Sequence, residues 1–172
     1  MFIVCNVREV DQSANNIVFR TKFQQIALRE PSEMKQEFFP RTNKDRLFSL
    51  GYLAKHSKHS HASTIDLGII PSSLRGLPAF DPKDKLVPCT EPQGVRFEDG
   101  TIDFGTGYDC LDVLANINAK EVGKVARDNR FFLRGLMRSV GFKPYDREWW
   151  HFKLELDPFP DTEFDFQIRP VH

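Results

Sequence analysis

The chain has 172 residues, room for one domain, and 40% of them are hydrophobic, enough to bury a core. Its 24 basic residues balance 24 acidic ones. A net charge of zero leaves no nucleic-acid footprint and no patch for an anionic membrane, and points weakly to a small neutral or zwitterionic partner. Cys5, Cys89 and Cys110 are odd in number and form no CxxC, so the sequence predicts no disulfide framework, reads the three as packing residues and favours a reducing compartment. The opening apolar run, Met1 to Cys5, is too short for a signal peptide or a membrane span, which makes the cytoplasm the expected location.

In chain order, Met1 to Cys5 reads as a strand. Gln12 to Arg29 carries Ile17, Phe19, Phe23 and Ile26 at weakly helical spacing. Pro31 and Pro40 bracket a surface segment, and Asn43 to Leu50 suits a short helix capped by Asn43 and ended by Gly51. Thr64 to Ile70 is a mostly buried strand. Pro71 to Gly100 holds five prolines and little periodicity, which predicts a long surface loop or flap. Asn118 to Val140 is the clearest helix, with Asn118 as cap and Glu121 at the capping-box position. Val122, Val125, Phe132, Leu136, Met137 and Val140 form its apolar pattern; Gly123 pushes the regular part later, and Gly141 suits the residue after the last turn. From Trp149 to Leu156 the chain alternates, with Trp150, Phe152, Leu154 and Leu156 on the core face. Without repeats or a βαβ rhythm, residues 1–172 read as a single α+β domain, an antiparallel sheet flanked by helices.

Three of five histidines crowd into Lys55-His56-Ser57-Lys58-His59-Ser60-His61. Alone, such a cluster is most often a solvated loop. Asp66, however, lies in the apolar run Ile65-Asp66-Leu67, where a carboxylate must be paired or coordinate a metal. Glu148-Trp149-Trp150-His151 sets a second carboxylate and a further imidazole at the head of an apolar strand. Together they supply two His and one Asp for zinc, plus one Glu. Three protein ligands leave a fourth position for water. The metal lowers that water's pKa and polarises a carbonyl, and a carboxylate shuttles the proton to the leaving amine. There is no HExxH. Residues three apart in a regular strand point to opposite faces, so if Glu148 and His151 share a site, Glu148 lies in a turn or bulge before the strand proper.

These residues resemble the VanX family of D-alanyl-D-alanine dipeptidases. The family's Ser-x-His-x-x-Gly-x-Ala-x-Asp reads here Ser57-Lys58-His59-Ser60-His61-Ala62-Ser63-Thr64-Ile65-Asp66, and its Glu-x-Trp-His reads Glu148-Trp149-Trp150-His151. Gly105 to Asp109, Leu136 to Phe142 and Phe164 to Phe166 are similar as well, so the likeness runs from about Phe38 to Phe166. It implies a hedgehog/DD-peptidase-like fold and one zinc per chain, held by His59, Asp66 and His151. It implies Glu148 as catalytic base, Ser57 and Asp109 as residues that hold the substrate's amino terminus, and the dipeptide D-Ala-D-Ala as substrate.

The chain departs from the pattern in three places. Ala62 stands where the motif has Gly, which strains the turn if that position needs a positive φ. Thr64 replaces the motif's Ala. The family's Tyr-Arg-Pro, whose Arg stabilises the oxyanion, is absent; Arg8 is the nearest arginine but out of register, and roughly residues 1–35 are divergent or incomplete. Two alternatives therefore stay open: a zinc-binding member without turnover, and a D,D-carboxypeptidase or peptidoglycan endopeptidase sharing the metal site. The sequence is silent on oligomeric state.

Overall fold

Thr64–Ile70 is rich in β-branched residues, which suit a pleated, half-buried surface, and it forms the strand β2 at the middle of the sheet. The structure, a computed structural model, describes residues 2–5, 31–71, 73–74 and 86–164. Arg8 and the helix expected between Gln12 and Arg29 lie outside them. With β1 (Phe2–Cys5), β3 (Phe142–Tyr145) and β4 (Glu148–Leu154), β2 makes an antiparallel sheet in the order β1-β2-β4-β3. The α+β reading with an antiparallel sheet therefore holds.

Two features of the sheet position the site. The β2–β4 register sets Asp66 opposite His151 and Thr64 opposite Lys153, and cross-strand partners share a face. The β3–β4 register breaks. Phe142, Lys143 and Pro144 pair with Leu154, Lys153 and Phe152, but Tyr145 then pairs with Glu148 rather than with His151. This irregularity supplies the bulge that the Glu-x-x-His spacing demands; Glu148 is nonetheless the first residue of β4, not part of a preceding turn. Leu156, expected on the core face, lies past the end of β4 and is 87% exposed. Trp149, expected on the opposite face, is fully buried: its ring stacks on Phe104 at 4.0 Å and its indole N–H donates to Thr106 Oγ1 at 2.9 Å.

The segment bracketed by Pro31 and Pro40 is not purely surface. Pro31–Phe38 forms the helix α1, begun by a proline where a missing N–H costs nothing, and Phe38 and Phe39 bury beside Leu47, Tyr52 and Leu111. Between Asn43 and Leu50 only Lys44–Arg46 is helical, a single 3-10 turn. Asn43 stands at its cap position but makes no capping bond; its Oδ1 accepts from Lys35 Nζ at 3.1 Å instead. Gly51 ends the segment at φ 79°, and a Cβ there would sit 2.8 Å from the Tyr145 hydroxyl, which donates to the Gly51 carbonyl. Only glycine allows both at once.

The long helix, α2 (Lys124–Ser139), starts after Gly123 with no side-chain cap, so Asn118 and Glu121 do not cap it. Gly141 follows it at φ 86°, as expected. Its buried stripe is Ala126, Arg130, Leu133 and Met137, whereas Val125, Phe132 and Val140 are exposed. Met137 is buried as expected, but the rest of the buried face differs from the expected pattern because it contains an arginine. Arg130 donates from Nε to the Phe104 carbonyl at 2.8 Å and from Nη1 to the Asn116 carbonyl at 2.7 Å, and burial pulls its pKa down to about 10. Leu133 and Met137 complete a core with Leu67, Ile69 and Phe152 from the sheet.

The expectation of unpaired cysteines is overturned: Cys89 and Cys110 form a disulfide across 21 residues. Their approach is set by tertiary folding, where Gly107 N–H donates to the Cys89 carbonyl, so no local spacing signals it. The cysteine argument for a reducing compartment falls with it. The proline-rich stretch forms no helix or strand among its described residues, but it is not all surface, since Cys89 and Arg96 are buried. No helix among the described residues is long and apolar enough to cross a membrane.

The buried face of α2 has a direct test. Leu133→Ala should cost about 2–5 kcal/mol of unfolding free energy, as buried Leu truncations do, while Phe132→Ala, at a half-exposed position, should cost far less. Urea titration of both variants checks this; equal losses would contradict the packing described.

Candidate metal centre

The strands bring Asp66 and His151 together: His151 Nδ1 lies 2.9 Å from Asp66 Oδ1. His59 arrives from the other side. It sits in a 3-10 turn, Lys58–His61, whose first residue is preceded by Ser57, and the Ser57 hydroxyl accepts from His59 N–H at 3.3 Å. His59 Nε2 reaches to 3.3 Å of Asp66 Oδ2. The two imidazoles meet edge to face, centroids 4.9 Å apart. One ligating atom from each of His59, Asp66 and His151 falls within 4.8 Å of the others.

These three residues suit a divalent metal. The Asp66 carboxylate is buried, and its Oδ1 has no hydrogen-bond partner even though an imidazole nitrogen is 2.9 Å away. A nitrogen and an oxygen this close but outside hydrogen-bond geometry fit a cation between them. The His59 ring also bonds the Thr64 backbone while Nε2 points at Asp66, the arrangement by which ligating histidines are oriented. Burial, aided by nearby His151 and opposed by Asp66, holds the His59 pKa below its ordinary value, which favours the neutral, ligating imidazole. Two nitrogens and a carboxylate oxygen make a borderline donor set with room for a fourth ligand.

Glu148 completes the cluster. Its Oε2 is 3.4 Å from His151 Nδ1, and burial, with Asp66 and Asp109 adding to it, raises its pKa well above the ordinary 4.5. Asp109 takes a left-handed conformation, φ 59°, and lines the same cavity of about 850 Å³, as does Ser57. All six residues singled out in the sequence therefore border one space. Sequence reasoning missed Tyr52, Tyr145, Lys143, Lys153 and Phe164, which also line it. The Tyr145 ring lies 5.3 Å from His151, brought there by the register break, which no residue pattern announces.

Ala62 closes the His59 turn with φ 55° and ψ 19°. The position does require a positive φ, and a non-glycine residue there costs about 1–2 kcal/mol.

The family model described as D-ala-D-ala dipeptidase (Peptidase M15) matches residues 95–169, which include Asp109, Glu148 and His151. The chain is 31% identical over 139 residues to the D-alanyl-D-alanine dipeptidase of Enterococcus faecalis (strain ATCC 700802 / V583), covering 81% of this chain and 57% of that protein. Four fifths of the chain is thus similar to a D-alanyl-D-alanine dipeptidase. The chain is 30% identical over 139 residues to the dipeptidase of that name from Streptomyces coelicolor, covering 81% of this chain and 57% of the relative, and 28% identical over 135 residues to that of Enterococcus faecium, covering 78% and 55%. The chain thus spans little more than half the length of these curated relatives.

Two outcomes follow from the geometry. A glutamic acid whose folded pKa is raised favours the folded state while protonated, and this contribution is lost as pH rises through the folded pKa. Metal-stripped Glu148→Gln should therefore be more stable than the unaltered chain at neutral pH, with the gain shrinking as pH falls toward 4.5. Thermal unfolding across that range checks it; a pH-independent difference would count against it. Ala62→Gly should relieve the left-handed strain and add up to about 1 kcal/mol of stability, read by urea titration.

Proposed function

We propose that this chain is a zinc metallopeptidase that hydrolyses D-alanyl-D-alanine to two D-alanines, with His59, Asp66 and His151 as ligands of one zinc and Glu148 as general base. The observation that carries the reading is the convergence of those three ligand atoms within 4.8 Å, with the Glu148 carboxylate beside them. Similarity to curated D-alanyl-D-alanine dipeptidases supports the substrate class. On this reading residues 1–172 form one hedgehog/DD-peptidase-like domain in which roughly the first 35 residues are divergent.

A zinc ion in this site would supply Lewis acidity, lowering the pKa of a water and polarising the scissile carbonyl. The chain's own residues do the rest. Glu148 takes a proton from the attacking water at a carboxylate oxygen and hands it to the departing amine. Its raised pKa suits both steps, because a shuttle works best when its pKa is near the working pH. Asp109 lines the cavity, where a carboxylate would pair with a free ammonium; a longer peptide offers an uncharged amide there instead. The Ser57 hydroxyl gives that end a hydrogen-bonding group. His59 is kept neutral by burial, and the Thr64 backbone holds its ring in place. The buried Trp150 lines the same cavity as His151.

D-alanine release from D-Ala-D-Ala by the zinc-loaded chain is the test. Release should stop with a chelator and return with zinc. Glu148→Gln should lower kcat by about 10²–10⁴. N-acetyl-D-Ala-D-Ala should be a poor substrate. Zinc binding with no release at high protein concentration would sink the peptidase reading and leave a metal-binding domain.

A further inference from the structure

The turn that carries His59 is held from outside by the segment that follows β4. Leu154 N–H donates to the Ser63 carbonyl at 2.8 Å, and Phe164 N–H donates to the Ser60 carbonyl at 2.7 Å. Between these two anchors Asp157 reaches back under the turn. Its Oδ1 accepts from Phe159 N–H at 3.0 Å, and its Oδ2 faces Lys153 Nζ at 3.2 Å and His61 Nδ1 at 3.6 Å. His61 and Ser63 are 5% and 1% exposed, so the polar edge of the turn is covered by this segment rather than by water.

Ala62, the left-handed residue, lies between His61 and Ser63. Strained backbone persists only where its surroundings fix it. Here the fixing contacts fall on both sides of Ala62 and come from residues 154–164. The other side of the turn leads within three residues to His59, whose Nε2 must stay beside Asp66. An imidazole displaced by an ångström no longer ligates.

We propose that residues 155–164 are a strap that locks the His59 turn in its ligating geometry, with Asp157 as the positioning residue. This rests on the metal reading above. Asp157 does not line the cavity that holds the ligand residues; it acts through His61 and the strained Ala62.

Cobalt(II) titration of the full chain, followed by visible absorption, tests it without relying on turnover. Asp157→Ala should weaken cobalt binding by about 10–100-fold, the usual loss when a residue that orients a ligand is removed. Adding Ala62→Gly in that background should restore most of the affinity, because glycine adopts the left-handed turn unaided. Asp157→Asn, which keeps the shape and an acceptor for Phe159 N–H, should lose less in the same direction and carries the test if the alanine variant does not fold. Cobalt bound as tightly by both Asp157 variants as by the unaltered chain overturns the strap, and so does a loss that Ala62→Gly leaves in place. If the unaltered chain binds no cobalt at all, the metal reading itself fails, a result distinct from either.

Discussion

The structure of the site depends on one buried carboxylate. Asp66 stands in a strand of Ile and Leu, 9% exposed, where an unpaired charge would be untenable. The fold answers with two imidazoles from opposite directions, His151 across the β2–β4 ladder and His59 from a turn seven residues earlier in the chain. Each element of the site serves that convergence. The register sets His151 in place, the break at Pro144 and Tyr145 swings Glu148 toward it, and the left-handed Ala62 brings the His59 turn back onto β2.

The irregular segment before α2 depends on carboxylates in a different way. Asp99 accepts from Thr101 N–H and hydroxyl and from Tyr108 N–H, while Asp103 accepts from Gly105 N–H and from Arg96 Nη2. Arg130 and Asn129 from the helix bind the carbonyls of Phe104 and Asp103. These bonds replace a regular ladder and satisfy backbone groups that would otherwise be buried unpaired. The segment ends at Asp109, so its stitching fixes where that carboxylate enters the cavity.

What could be read from the residues alone was the part governed by local chemistry. The bounds of β2 follow from seven residues of strand-forming character, and Gly141 follows from the helix it ends. Asp66 declares itself by being charged among apolar neighbours, and the Glu-x-x-His spacing calls for the irregularity that the β3–β4 register supplies. The rest was hidden where a tertiary contact overrode a local rule. Arg130 disguised the buried stripe of α2, because a guanidinium paired to two carbonyls can occupy a core position that composition assigns to an apolar residue. Cys89 and Cys110 meet only after the loop between them has folded. Phe38 and Phe39 bury because Leu47, Tyr52 and Leu111 return to cover them.

On the proposed reading His59, Asp66 and His151 share one zinc, which X-ray absorption at the zinc edge on the zinc-loaded chain can establish. One zinc per chain is expected, with scattering from two imidazoles and oxygen at about 2.0–2.2 Å. A shell of sulfur at about 2.3 Å, or a chain that retains no zinc, would contradict it.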